Sequence, residues 1–232
     1  MAQLDQALSI MGKAIRITRL TAAGNPVVGT DASYVTKAFS SVSFTPNYEE
    51  GQQIQVTNAS GGKCLSYKLP DTLENVSLEL SVCAPGPELT EILTGGSILS
   101  KTINSAETSV GFGLNKIGAT AREDGSSGVS IEVWSAAAEG DHDAYTHPYW
   151  RWVFPKAEIR PSGSRVIESE NALANTYEGT VVGNINFGTG PDGKWEWPSD
   201  TDRPVLWSRV EESDLPTGEG LVAVTAPSVP TP

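Results

Sequence analysis

Residues 148–155 read Pro148-Tyr149-Trp150-Arg151-Trp152-Val153-Phe154-Pro155, and residues 188–198 read Gly188-Thr189-Gly190-Pro191-Asp192-Gly193-Lys194-Trp195-Glu196-Trp197-Pro198. Between them, residues 176–187 are rich in Thr, Tyr, Val and Phe, the composition of a strand. Side chains alternate across a strand, so Trp150, Trp152 and Phe154 share one face while Arg151 and Val153 share the other. The aromatic set is the larger payload and is expected to fill the core between two sheets. The glycines that follow predict turns.

Outward from this block, strand patterns dominate. Residues 14–20 alternate apolar and basic groups (Ile15, Arg16, Ile17, Thr18, Arg19, Leu20), which predicts a strand with one wet face. A second strand is expected over residues 34–44, ended by Pro46. Residues 53–57 and 63–69 follow as strands joined by a Gly/Asn/Ser turn. Residues 76–82 place Val76, Leu78, Leu80 and Val82 on one face, and together these segments read as a meander. One short helix is predicted between Pro85-Gly86-Pro87 and Gly95-Gly96: a proline suits the first turn, Glu88 and Glu91 lie near the positive dipole end, Leu89, Ile92 and Leu93 form a stripe, and the two glycines close it. Strand signals resume at 110–114, 129–135, 149–159, 177–187 and 205–210. Leu4, Ala7, Leu8 and Met11 recur at helical spacing, so residues 2–11 are expected to form a short amphipathic helix or an arm docking on a neighbour. The expected organisation is an arm over 1–12, a β domain over 13–215 and a loose Pro-rich tail over 216–232.

Composition agrees with a turn-rich β protein: 38% hydrophobic and 19% charged residues, with 23 Gly and 15 Pro in 232 residues. No run of about 18 apolar residues exists to span a bilayer. Residues 1–11 carry Asp5 and no basic group, so they do not read as a secretory signal, and the product is expected to stay in the cytoplasm where it is made. The formal charge is −12, with 9 basic and 13 acidic groups in residues 1–138 and 7 and 15 in residues 139–232. Such an anion repels phosphate backbones, which argues against a sequence-reading DNA binder. The same acidity keeps an abundant protein soluble before assembly.

Candidate chemistry is sparse. Asp141, His142, Asp143 and His147 cluster in one acidic loop, but no helix or strand fixes a ligand spacing, and a solvated loop is the expectation. The chain has only two histidines, which removes most Ser or Cys nucleophile schemes. Gly188, Gly193 and Lys194 imitate half of a phosphate-binding loop, yet Trp195 stands where the Mg²⁺-binding hydroxyl belongs and Pro198 blocks the following helix. Cys64 and Cys83 flank a turn. If residue 69 pairs with residue 76 the thiols are diagonal neighbours, expected as reduced, buried small hydrophobes, with a disulfide neither required nor excluded. Trp150/Trp152 and Trp195/Trp197 form two pairs that suit a carbohydrate- or receptor-binding β-sandwich. Glu196, between the second pair, finds no second carboxylate for glycosidase chemistry. Neither a catalytic residue nor a cofactor or metal ligand is assigned, and the chain is read as a non-enzyme.

Three blocks resemble the major tail (tail tube) protein of long-tailed phages of the actinobacterial type. They are the strand through Cys83 into Pro87-Glu88-Leu89 and Leu93-Thr94-Gly95-Gly96; Ile131-Glu132-Val133-Trp134 with the 149–155 run; and Glu170-Asn171-Ala172 leading to Tyr177-Glu178-Gly179 and residues 184–191. The resemblance implies a mainly β fold, a sandwich or barrel with one short flanking helix akin to the type VI secretion tube protein. It implies a structural virion protein whose six copies close into rings. These rings stack around a tape-measure protein, meet tail-tip or terminator proteins and conduct DNA without binding it. Residues 24–58 or 1–12 are the expected stacking arms. Many relatives continue into an immunoglobulin-like domain, for which this chain has only its Pro-rich tail. Six copies would carry a formal charge of −72 (6 × −12), so an acidic bore is expected.

Overall fold

In a computed structural model of the chain, residues 7–83, 85–114, 128–138, 147–163, 175–197, 200 and 202–225 are described. Asp141, His142 and Asp143, the Glu170-Asn171-Ala172 block, and residues 1–6 and 226–232 lie outside them. Among the described residues the chain is mainly β and antiparallel, with one short α-helix. In chain order the elements are β1 (Leu8–Arg19), β2 (Gly29–Thr36), β3 (Phe39–Glu49), β4 (Gln53–Thr57), β5 (Lys63–Lys68), β6 (Thr72–Val82), α1 (Pro87–Thr94), β7 (Ser97–Ile103), β8 (Ala106–Gly113), β9 (Val129–Ala138), β10 (Tyr149–Ser162), β11 (Asn175–Val182), β12 (Leu206–Val210) and β13 (Gly220–Val224). Nine of the strands form one sheet ordered β13-β2-β1-β9-β10-β11-β6-β3, with β12 also paired to β10; β4-β5 and β7-β8 are separate hairpins.

The main core gathers inward-facing positions from five strands: Ile15 and Ile17 of β1, Val76 to Val82 of β6, Ile131 of β9, Phe154 and Ile159 of β10, and Tyr177 and Val181 of β11. The alternation of each strand supplies these residues. On β10 the inward set shifts from even to odd numbers because the ladder slips between Phe154 and Ala157, at Pro155, which has no N–H to give. The helix forms as its caps predict. Pro87 opens it, and Gly95 ends it at φ 71°, donating its N–H to the Glu91 carbonyl. Leu89, Ile92 and Leu93 enter the core, and Arg19 forks onto Glu91 while Thr90 Oγ1 meets the Tyr177 hydroxyl at 2.9 Å.

Several expectations need correction. Residues 8–11 are not helical: they begin β1, pairing with β9 from Leu8 opposite Ala138. The expected single strand over 34–44 is two strands, and β3 runs through Pro46 to Glu49 because it lies at the sheet edge, where a missing N–H costs no ladder bond. Part of the expected loose tail is in the sheet, since β13 pairs with β2 and buries Val224. β6 pairs with β3 rather than β5, so Cys64 and Cys83 are not neighbours across a hairpin; both are free and exposed rather than buried. Trp150 and Trp152 are half-buried, whereas Arg151 and Val153, on the opposite face, are fully buried. The face of β1 expected to be wet is covered, with Arg16 and Thr18 buried.

Candidate assembly surface

What covers that second face is the segment from 183 to 215. Asn184 anchors it by donating its side-chain N–H to the carbonyls of Gly24 (2.7 Å) and Pro155 (3.2 Å). Gly188, Gly190 and Gly193 then turn the chain at positive φ, so the imitation phosphate loop is a run of turns. Phe187 and Trp195 pack on Val153, with Leu206 at their margin. Trp195 is buried and its indole N–H donates to the Trp197 carbonyl, so the second tryptophan pair is no stacking platform. Trp150 and Trp152 instead run in a ladder with Trp207, ring centroids 6.2 and 5.6 Å apart and planes tilted by 38° and 32°. Glu196 is exposed.

Beneath this segment lies a buried charge network that the sequence reading missed. Arg16 stands opposite Glu132 across β1 and β9, and Arg151 lies on the same face of β10. Glu132 is 0% exposed and accepts from both: Arg16 Nε at 2.6 Å and Arg151 Nε at 3.0 Å, with the Arg151 Nη2 also on it. Asp192, delivered by the glycine turns, accepts from Nη2 of Arg16 (2.9 Å) and Nη2 of Arg151 (3.1 Å). Two cations and two anions thus neutralise each other, and both guanidinium groups lie over the Trp134 ring. Burial pushes the Asp192 carboxyl upward most strongly, but Arg16, Arg151 and the Lys194 N–H together hold it below its ordinary value. A carboxylate held low contributes its stability above its unfolded pKa and loses it as pH falls through its folded one. Asp192→Asn should therefore cost about 1.5–3 kcal/mol near neutrality, and the gap to the parent should close as pH drops below the ordinary carboxylate range. Urea melts across pH 2–7 check this; a gap that persists unchanged into acid refutes it.

This network clamps, and of its four charges Asp192 is the one at the solvent edge. Among the described residues no group of three His, Cys, Asp or Glu could hold a metal ion. His147, the described member of the expected acidic cluster, has its backbone carbonyl taken by Arg209 at 2.8 Å.

Two exposed surfaces stand out instead. The first is the outer face of β3-β6-β11-β10, whose inner face belongs to the core. There Ser43, Thr45, Ser77, Glu79, Glu158, Arg160, Glu178 and Thr180 line an open groove of about 580 Å³. Arg160 bonds Glu178 (3.0 Å), leaving the groove lining at a net of two negative charges, three carboxylates against one guanidinium. The second is the β4-β5 hairpin, in which every residue is exposed. In its register Ile54 faces Tyr67 and Val56 faces Leu65, so four apolar side chains share one bare face. Such a patch on a two-stranded ribbon marks a contact surface, because a lone hairpin is marginal in water.

No protein-family model matches the chain, and no curated protein matches it. Among solved structures, it is similar to a chain of the sheath-tube complex of an extracellular contractile injection system in the extended state. The identity is 15% over 84% of this chain and 88% of that one, with a TM-score of 0.35. A likeness of that size leaves the assembly to be argued from this chain's own surfaces.

Proposed function

We propose that this chain is a non-enzymatic structural subunit of a tube of the phage-tail kind. In this reading six copies close into rings, and the rings stack around a tape-measure protein and end on tail-tip or terminator proteins. DNA passes through the finished virion tail without specific binding. The observation that carries the reading is the outer face of β3, β6, β11 and the Glu158–Arg160 end of β10, which is polar and forms an open acidic groove. A sheet normally buries one face and wets the other, but this one hollows its wet face and leaves β3 as an edge strand. Neighbouring copies that pair along such edges remove them. The groove then faces the bore, and its carboxylates keep phosphates from adhering.

Negative-stain micrographs of the purified full chain, with sedimentation over a concentration series, test this. Rings or tubes are the expected outcome. A monomer at every concentration, with tryptophan fluorescence quenched by saccharides, favours the sugar-binding sandwich and overturns the tube.

A further inference from the structure

A cleft between residues 194–197 and the end of β12, with the turn that follows it, shares no residue with the acidic groove. It encloses about 300 Å³, and Arg151, Trp195, Ser208 and Val210, all buried, form its floor. We propose that this cleft binds a neutral polyhydroxylated ligand, a mono- or disaccharide, with its ring against Trp197 and its hydroxyls on the floor.

The floor carries the argument. Ser208 stands opposite Arg151 across β12 and β10, so both side chains lie on one face. Ser208 is only 8% exposed, yet its hydroxyl has no hydrogen-bond partner among the described residues. Arg151 commits Nε and Nη2 to Glu132 and Asp192, while its Nη1 makes no bond among the described residues. A buried donor without a partner costs about 1–3 kcal/mol. The cleft therefore ends in a hydroxyl and a guanidinium nitrogen that call for an oxygen from outside the chain. A ligand hydroxyl that reproduces the bonds of a water there displaces it without loss.

Charge balance selects the class of ligand. Arg151, Lys194 and Arg209 face Glu196, Glu211 and Asp214 around the cleft, three cations against three anions. Lys194 already pairs with Asp214 at 3.1 Å, and Arg209 donates to the His147 carbonyl. Such a lining favours neither a phosphate nor a metal ion. Fixed donors beside fixed acceptors match hydroxyls, which do both, and bonds to charged partners are the stronger kind. Trp197 supplies the apolar half. The Trp195 indole N–H holds the Trp197 carbonyl at 2.9 Å, and the Trp197 side chain stays at the rim, the residue 45% exposed. An indole beside polar groups suits a pyranose, which is apolar on its C–H face and polar round its edge. The volume lies at the low end of small-ligand sites, about 300–1,000 Å³, with room for one or two sugar rings. The acidic side is fixed in advance, since Glu211 and Asp214 close a reciprocal capping box.

The inference goes beyond the tube reading and does not require assembly. Isothermal titration calorimetry of the full chain with glucose, galactose, N-acetylglucosamine and maltose should show a single site per chain for at least one of them. Trp197→Ala, at an exposed position, and Ser208→Ala, which removes an unpartnered hydroxyl, should each weaken binding about tenfold with the melting transition unchanged. Trp207→Ala, on the exposed ladder outside the cleft, should bind as the parent does. Loss of binding in Trp207→Ala alone moves the site to the ladder and overturns the proposal. Heat from inorganic phosphate in place of the sugars, or from none of them, overturns it as well. Sedimentation of the same samples reads assembly separately: rings that bind no sugar leave the tube standing, and sugar binding by a chain that never associates leaves this site standing.

Discussion

Replacing Glu132 by Gln is expected to destabilise the fold by about 3–5 kcal/mol, because removing one partner of a buried ion pair leaves charge uncompensated. Glu132 is fully enclosed between Arg16 and Arg151, and the latter is 1% exposed. With a neutral amide in place, Asp192 alone faces two guanidinium groups, and it lies only at the margin of the site. Against the 5–15 kcal/mol typical of a domain, that loss brings the midpoint of a urea melt down by a large fraction. A second variant separates charge from packing. Replacing Arg16 and Arg151 by Met together with Glu132→Leu removes every member that needs a partner except Asp192, at the solvent edge, so much of the lost stability should return. A Glu132→Gln melt within about 0.5 kcal/mol of the parent would mean that water reaches the network and that the enclosed geometry is wrong.

That network also marks where the sequence was legible and where it was not. The strands at 14–20, 53–57, 129–135 and 149–159, and the helix at 87–94, follow from alternation and from Pro/Gly punctuation, both local signals. Whether a strand is covered on one face or two is not local. Arg16 reads as solvent-facing until a segment more than a hundred residues away brings Asp192 onto it and packs Phe187 and Trp195 on Val153 of the same sheet. A trace did exist: Glu132 is the lone charge in the otherwise uncharged run Val129–Ala138, and a solitary acid in such a run calls for a buried cation. Strand partnering was equally hidden. The Pro70-Asp71 turn suggested a hairpin between β5 and β6, but the β4-β5 hairpin stands apart from the main sheet and β6 returns to β3. The apolar hairpin face was visible as alternation, yet only the absence of a covering element among the described residues makes it a candidate surface.

The largest gain of function is expected from reversing the acidic groove. Glu79, Glu158 and Glu178 with Arg160 give the groove lining a net charge of −2 per copy. Changing all three to Lys makes it +4, an excess of cations on a surface the tube reading turns toward passing DNA. Affinity for duplex DNA grows with each phosphate neutralised, and a protein making about 6–10 such contacts loses roughly 10³–10⁵ in affinity between 50 and 200 mM salt. The parent assembly should retain no duplex DNA on a filter near physiological salt. The triple variant should retain it strongly at 50 mM and release it steeply as salt rises. All three positions lie on an exposed face, and Glu178 is bonded to Arg160 and Ser162 at the solvent boundary. Breaking those bonds costs little, because exposed ion pairs are worth about 0–1 kcal/mol. The fold should therefore survive, and the readout reports the wall itself. Parent tubes that hold DNA at that salt would show that the bore attracts phosphate, and electrostatic release along an acidic groove would have to be abandoned. A variant that binds DNA only as a monomer, and not within assembled tubes threaded with duplex, would place this face away from the lumen.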